Sequence, residues 1–358
     1  MVSLIERSIM IGTLTFHFAH NYGAMLQAYA LLAYLKSRGK DVEIINYCPE
    51  KMTKAYALRQ KGEKPFETMK NTYICYKRRK QYYLFESFKN EVITNGSAVL
   101  DCMLPSFMER YDTIIVGSDQ VWNTRMNMDD PNYFLQALGS NTNKIAYGVS
   151  IGVTRLSESL KDYLDRNIGE FNKVSFREKS AANLIKYYYH INASVVCDPV
   201  FLIDRCYWKK MMKMPASKLP SKFLLYYSLN DEDELINGTL MLAQEERIPI
   251  VAIHPVCKRV KFADYNLRDV GPREFLGLVE KAQYICTNSY HGTAFSIIFK
   301  KSGLFCKNSM SADRLIDLMG LLNIQPIISR NDNYYDFSNQ RYELLEETIH
   351  NSKLFLEI

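Results

Sequence analysis

Short apolar runs that stop at a polar turn and pass into a helical stretch recur along this 358-residue chain, and that alternation restricts its fold more than any other feature. Ser8–Phe16 reads as a buried strand ending in H-F-A-H-N-Y-G. Gly23–Arg38 (GAMLQAYALLAYLKSR) is rich in Ala and Leu and apolar on most faces, which predicts a helix buried against a sheet and stopped by Gly39. Asp41–Tyr47 (DVEIINY) is the next strand. Strand, helix and strand within 47 residues make the β-α-β unit from which parallel sheets are built.

The pattern continues with strands at Asp112–Val116, Lys144–Val149, Lys173–Phe176 and Ala193–Cys197, and a helix at Glu178–Tyr188. Residues 200–221, with two prolines and a Lys/Met-rich run, read as a linker. Alternation then restarts: strand Phe223–Ser228, helix Glu232–Glu246, strand Pro249–His254, helix Pro272–Lys281, strand Tyr284–Cys286 and helix Thr293–Lys300. A segment at Gly303–Cys306 and a helix at Ala312–Leu322 follow. The expected organisation is two Rossmann-like, doubly wound α/β domains, 1–215 and 216–330, with a tail 331–358 returning to the first domain. One core rarely serves a chain this long.

Charge is uneven. Residues 50–92 hold eleven Lys/Arg against five Glu, an excess of six that equals the net charge of the whole chain. A basic excess confined to one helical insert, interleaved with Tyr and Phe, argues against a nucleic-acid binder. Two readings of the insert stay open: a solvated helical cover, or a peripheral membrane contact through basic and aromatic side chains. Eight scattered cysteines without a C-x-x-C suit free thiols in a reducing cytoplasm. The N-terminal run is broken by Glu6-Arg7 and reads as neither leader nor membrane span.

The turns after the strands carry the polar chemistry. In Asn288-Ser289-Tyr290-His291-Gly292-Thr293, Gly292 would admit a ligand to the backbone. Ser289 and Thr293 could cap a helix or donate to an anion, and His291 is the natural general acid or base. His20, Asn21 and Gly23 occupy the matching turn after the first strand, where Asn21 and Gly23 could hold an oxyanion. No G-x-G-x-x-G is present, and His17 and His20 lack a third metal ligand at fixed spacing. Ser118, Asp119, Gln120, Trp122 and Asn123 follow a strand as a sugar site would want, with carboxylate and amides for hydroxyls and an indole for the ring face. Arg177 suits bidentate phosphate or carboxylate binding, or an internal ion pair. Asp198 could orient a histidine or simply end its strand with Pro199. His254 closes its own strand and joins the candidates.

Six of these blocks, in order, resemble the polysaccharide pyruvyl transferase family: N-Y-G-A-M-L-Q-A-Y-A-L at 21–31, I-I-V-G-S-D-Q-V-W-N at 114–123, S-F-R-E-K-S at 175–180, D-P-V-F-L at 198–202, G-P-R-E-F-L at 271–276 and T-N-S-Y-H-G-T-A-F-S at 287–296. Tyr290 replaces the usual Phe, and A-Y-G-V-S-I-G after Lys144 departs from the common A-x-S-x-G. The resemblance implies a glycosyltransferase-B-like pair of domains with the active site in the cleft. It implies transfer of the enolpyruvyl carbons of phosphoenolpyruvate to two hydroxyls of a sugar or lipid-linked oligosaccharide, giving a cyclic ketal. No metal or organic cofactor is implied. On that reading His291, Arg177 and Asp119 are the catalytic candidates, with Asp198 and His20 as further bases. The rivals are a nucleotide-sugar glycosyltransferase of the same architecture and a non-catalytic glycan- or phosphate-binding protein.

Overall fold

The computed structural model describes residues 9–358 except 59–64, 94, 95, 137, 140, 154, 308–311, 328, 339 and 340. Most of the N-terminal run read as neither leader nor span, and Ser8 at the head of the first expected strand, lie outside the described residues. The chain divides into two compact units. One contains residues up to Phe18, Gln27–Ala55 and Val92–Leu202; the other contains Ala19–Leu26, Tyr56–Glu91 and Ile203–Ile358.

The first unit is built on six parallel strands: β1 (Met10–Leu14), β2 (Asp41–Ile44), β3 (Thr113–Val116), β4 (Asn143–Val149), β5 (Lys173–Phe176) and β6 (Ser194–Val195). Their order is β2-β1-β3-β4-β5-β6. β3 is buried along its whole length, as expected of a continuous apolar strand covered on both faces. Because β1 has β2 on one side and β3 on the other, the winding reverses between β1 and β3, and the turns beyond their carboxyl ends diverge there. Thr15 Oγ1 bridges those turns by donating to the Ser118 carbonyl at 2.8 Å, and Gln27 Nε2 donates to the same hydroxyl at 2.9 Å.

The second unit repeats the scheme with β7 (Leu224–Tyr227), β8 (Ile250–Ile253), β9 (Tyr265–Asn266), β10 (Tyr284–Thr287), β11 (Ser302–Phe305) and β12 (Tyr334–Asp336), in the order β12-β11-β10-β7-β8-β9. All pairs are parallel except β11 with β12. The reversal falls between β7 and β10, so the polar block after β10 stands at the place where open sheets present ligands. Leu224, Tyr226, Leu235, Leu242, Ile250 and Cys286 form part of the core beneath it.

The units differ from the expected boundaries in four respects. The basic insert's long helix, Pro65–Phe88, belongs to the second unit, because Gln81 Nε2 donates to both Tyr22 Oη (3.0 Å) and the His254 carbonyl (2.9 Å). The turn at His20–Gly23 joins the second unit too. The stretch read as a linker contains the helix Arg205–Met211, whose Trp208 is fully buried edge-on to Phe295 at 5.0 Å. Finally, the tail stays in the second unit, its helix Glu343–Phe355 packing on Ala312–Leu322. Among the described residues, no helix is long and apolar enough to cross a membrane.

Candidate active site

The turn after β10 is assembled by its own side chains. Asn288 Oδ1 accepts from Ser228 Oγ (3.1 Å) and Leu229 N (3.0 Å), while its Nδ2 donates to the Asn230 carbonyl (3.1 Å). One amide therefore ties the carboxyl ends of β7 and β10 together. Ser289 caps the helix Tyr290–Ile298: its Oγ accepts from Gly292 N (3.3 Å), and its carbonyl accepts from Thr293 N (3.0 Å) and Thr293 Oγ1 (3.2 Å). The helix thus begins at Tyr290 rather than at Thr293, and His291 lies in its first turn, where the dipole favours negative charge. Gly292 has a packing role. A Cβ there would stand 2.5 Å from Thr287 Oγ1, so the missing side chain lets the helix close on its strand.

His291 is 7% exposed. Its ring rests on Gly23, where an added Cβ would come 2.1 Å from Nδ1. Tyr290 meets the ring edge-on at 5.2 Å. Arg314, buried on the helix Ala312–Leu322, holds its guanidinium 5.9 Å from the Tyr290 ring centre. Gly23 is placed from the other side by Asn21, whose Oδ1 accepts from Gly23 N (2.9 Å) and Ala24 N (3.3 Å) as the cap of the helix Tyr22–Ser37. Tyr22 anchors that helix start. It stacks on Phe275 (4.9 Å) and Phe85 (5.2 Å), meets Tyr227 edge-on, and donates to the Val270 carbonyl at 3.3 Å. Burial pushes the phenols of Tyr22 and Tyr227 well up. Both therefore remain protonated near neutrality.

His20 stands in the same unit, stacked on Phe85 with Nε2 2.8 Å from Glu86 Oε1. Lys89 reaches the other oxygen of Glu86 at 2.6 Å. Burial pushes the Glu86 carboxyl up, but hydrogen bonds with His20 and Lys89 outweigh this and hold it below its ordinary value. His254 is held by Val256 N, which donates to Nδ1 at 3.2 Å. Burial and the nearby Lys258 ammonium lower its pKa to about 4, so it is neutral at pH 7.

In the first unit, the turns after β3, β5 and β6 converge on an ion-pair cluster. Arg177 pairs through Nη1 with Asp198 and through Nη2 with Asp119 Oδ1 at 3.3 Å. The Arg177 and Asp198 side chains are essentially inaccessible, and that of Asp119 is 13% exposed. Asp198 also caps the short 3-10 helix Pro199–Phe201 by accepting from Val200 N at 3.1 Å. The expectation that Arg177 grips a substrate anion is thus corrected: two carboxylates already occupy its fork. Trp122 is corrected as well. It is fully buried, stacked on Phe134, and its Nε1 donates to the Tyr133 carbonyl at 2.9 Å, so its faces serve the core rather than a sugar ring. Ser118 is buried and donates to the Gly148 carbonyl (3.0 Å), and Asn123 Nδ2 donates to Gln120 Oε1 (2.8 Å). These three build the turn that holds Asp119, which sits at a φ of 78°, a region Asp tolerates better than most residues.

Three participants carried no sequence signal strong enough to be named. Glu178 is buried and accepts from Ser150 Oγ (2.6 Å) and Ile151 N (3.2 Å), bracing the turn after β4; its place before a helix suggested only a favourable first turn. Tyr22 lies in the turn between Asn21 and Gly23, and its role rests on contacts with Phe85, Tyr227 and Phe275 far along the chain. Arg314 could have been found as the lone cation on the buried side of a helix otherwise rich in Leu and Ile.

The fold is shared with UDP-N-acetylglucosamine 2-epimerase from Rickettsia bellii (10% identity, TM-score 0.55, covering 98% of this chain and 95% of that one). It is shared also with UDP-GlcNAc 2-epimerase from Neisseria meningitidis bound to UDP-GlcNAc (10% identity, TM-score 0.50, 98% and 99%). At such identity the likeness defines the class alone: a glycosyltransferase-B-like α/β protein with two mostly parallel sheets. No curated protein matches the chain by sequence. The family described as polysaccharide pyruvyl transferase matches residues 21–309, most of the chain, and the protein belongs to that family.

Proposed function

We propose that the protein transfers the three-carbon unit of phosphoenolpyruvate onto two hydroxyls of one sugar, in a cell-surface glycan or its lipid-linked precursor, forming a cyclic ketal and releasing phosphate. The reading places it in the cytoplasm, at the inner face of the membrane when the precursor is lipid-linked. Family membership supports the transferase class, and one observation carries the finer reading. A histidine is seated on a glycine in the first turn of a Ser-capped helix, at the switch point of its sheet, with a buried arginine nearby.

Phosphoenolpyruvate brings a phosphate and a carboxylate, for which the amino end of the helix Tyr290–Ile298 and Arg314 are the proposed partners. His291 donates a proton to the methylene carbon, which becomes a methyl group. The adjacent electron-poor carbon then takes the first sugar oxygen. Cleavage of its bond to the phosphate oxygen regenerates such a centre, and the second sugar oxygen closes the ring. Of the two hydroxyl protons, one replaces that given to carbon and the other leaves with phosphate. Asp119 is the proposed acceptor of a hydroxyl proton, and Arg177 holds it in place. Asn21, Gly23, Asn288, Ser289, Gly292 and Thr293 act by building the turn on which His291 sits, with His20 and His254 beside the same helix, Pro65–Phe88.

Thermal denaturation tests the donor: phosphoenolpyruvate raises the melting temperature and UDP-sugars do not. Stabilisation by a UDP-sugar alone would replace this reading with a nucleotide-sugar transferase.

A further inference from the structure

Four cations come together in one place that the proposed chemistry does not use. A cavity of 320 Å³ lies in the second unit between the long helix Pro65–Phe88 and the segment after β9, lined by Lys77, Arg79, Lys80 and Arg268. Its volume lies at the lower end of the range for small-molecule sites, about 300–1,000 Å³. The carboxylate on its wall, Asp269, accepts from both Ser217 N and Ser217 Oγ at 2.8 Å, and the wall amide of Asn266 is occupied by the backbone of Val260. Lys77 lies over the Tyr73 ring at 4.0 Å and Arg79 over the Tyr76 ring at 4.4 Å. Among the described residues, none of the four cations forms an ion pair with a carboxylate.

Arg78 adds to the field from the same helix. It is 8% exposed, and its Nε is buried without a hydrogen-bond partner among the described residues. Burial raises the thiol of nearby Cys257 to about 11, against the opposing pull of Arg78 and Arg268. Like charges held this close repel one another and cost stability, so their convergence on a concavity favours an anion that neutralises them.

We propose that this pocket binds the phosphate groups of an anionic ligand, whose charge its four converging cations neutralise. A soluble diphosphate and the phosphate of a lipid headgroup share that chemistry, and the exposed Tyr73, Tyr76 and Tyr83 on the same helix suit a lipid surface beside it.

Titration calorimetry with inorganic pyrophosphate, and co-sedimentation with phosphatidylcholine vesicles containing phosphatidylglycerol, test the proposal on the full chain. Lys80→Glu with Arg268→Gln is the paired variant, and an unchanged thermal melt establishes that it folds. Saturable pyrophosphate binding, weakened about tenfold or more in the variant and by added salt, supports a soluble phosphate ligand. Vesicle binding lost in the variant, without pyrophosphate binding, assigns the same pocket to a headgroup. His291→Ala should leave either signal intact, which separates this site from the proposed transfer. Absence of both signals, or binding indifferent to the paired variant, overturns the proposal.

Discussion

A methyl group on Gly23 would occupy the space filled by the His291 ring, 2.1 Å from Nδ1, so the two residues form one device although 268 positions separate them in the chain. Gly23→Ala should tilt or displace the imidazole. We expect a destabilisation of about 1–3 kcal/mol, typical of overpacking, with a larger proportional loss of turnover than of phosphoenolpyruvate affinity. Chemical denaturation and steady-state kinetics measure both effects, and a fully active, equally stable variant would contradict the contact. His291→Ala should lower phosphate release by about 10²–10⁴-fold while phosphoenolpyruvate still raises the melting temperature. Undiminished release would remove His291 from the chemistry. The histidine was legible from its place in a polar block after an apolar strand. Its partner glycine was read as an oxyanion holder, because no periodicity links residue 23 to residue 291.

Among the elements, strands and helices were legible where apolar runs were long or evenly spaced, as in β3 and the helix Tyr22–Ser37. The two-residue β9 and the three-residue antiparallel β12 escaped notice because they are too short to show any alternation. Candidate sites on turns were legible as polar clusters, yet which polar group faces a ligand and which braces the turn depends on contacts between distant elements. Arg177 shows the difference. Its sequence neighbourhood suited an anion site, and the structure commits it to Asp198 and Asp119. Arg177→Met would leave the buried Asp198 and the largely buried Asp119 uncompensated and should cost about 3–5 kcal/mol, measurable by urea denaturation. A loss below about 1 kcal/mol would mean that the cluster is solvated and the fork available to substrate.

At the scale of the whole molecule, stability should depend on the neutral state of the half-buried His254. Its folded pKa of about 4 lies below the ordinary value of 6.5, so its contribution is complete above pH 6.5 and is lost as pH falls toward 4. The loss is on the order of 3 kcal/mol at most. His254→Asn preserves an acceptor for Val256 N and should flatten the decline of unfolding free energy between pH 6.5 and 4; an unaltered slope would place the titrating group elsewhere. The two-sheet architecture was visible in the strand–helix alternation, but its division was not. Tyr56–Glu91 and Ala19–Leu26 join the second unit through Tyr22, Gln81 and Phe85, contacts that cross long stretches of chain.

The proposed transfer is tested most directly by mass spectrometry of candidate glycans incubated with the protein and phosphoenolpyruvate. It predicts a product heavier by one pyruvate ketal, formed with one equivalent of phosphate and absent with His291→Ala. Phosphate release without that mass increase, or glycan modification only when a nucleotide sugar is supplied, would contradict it.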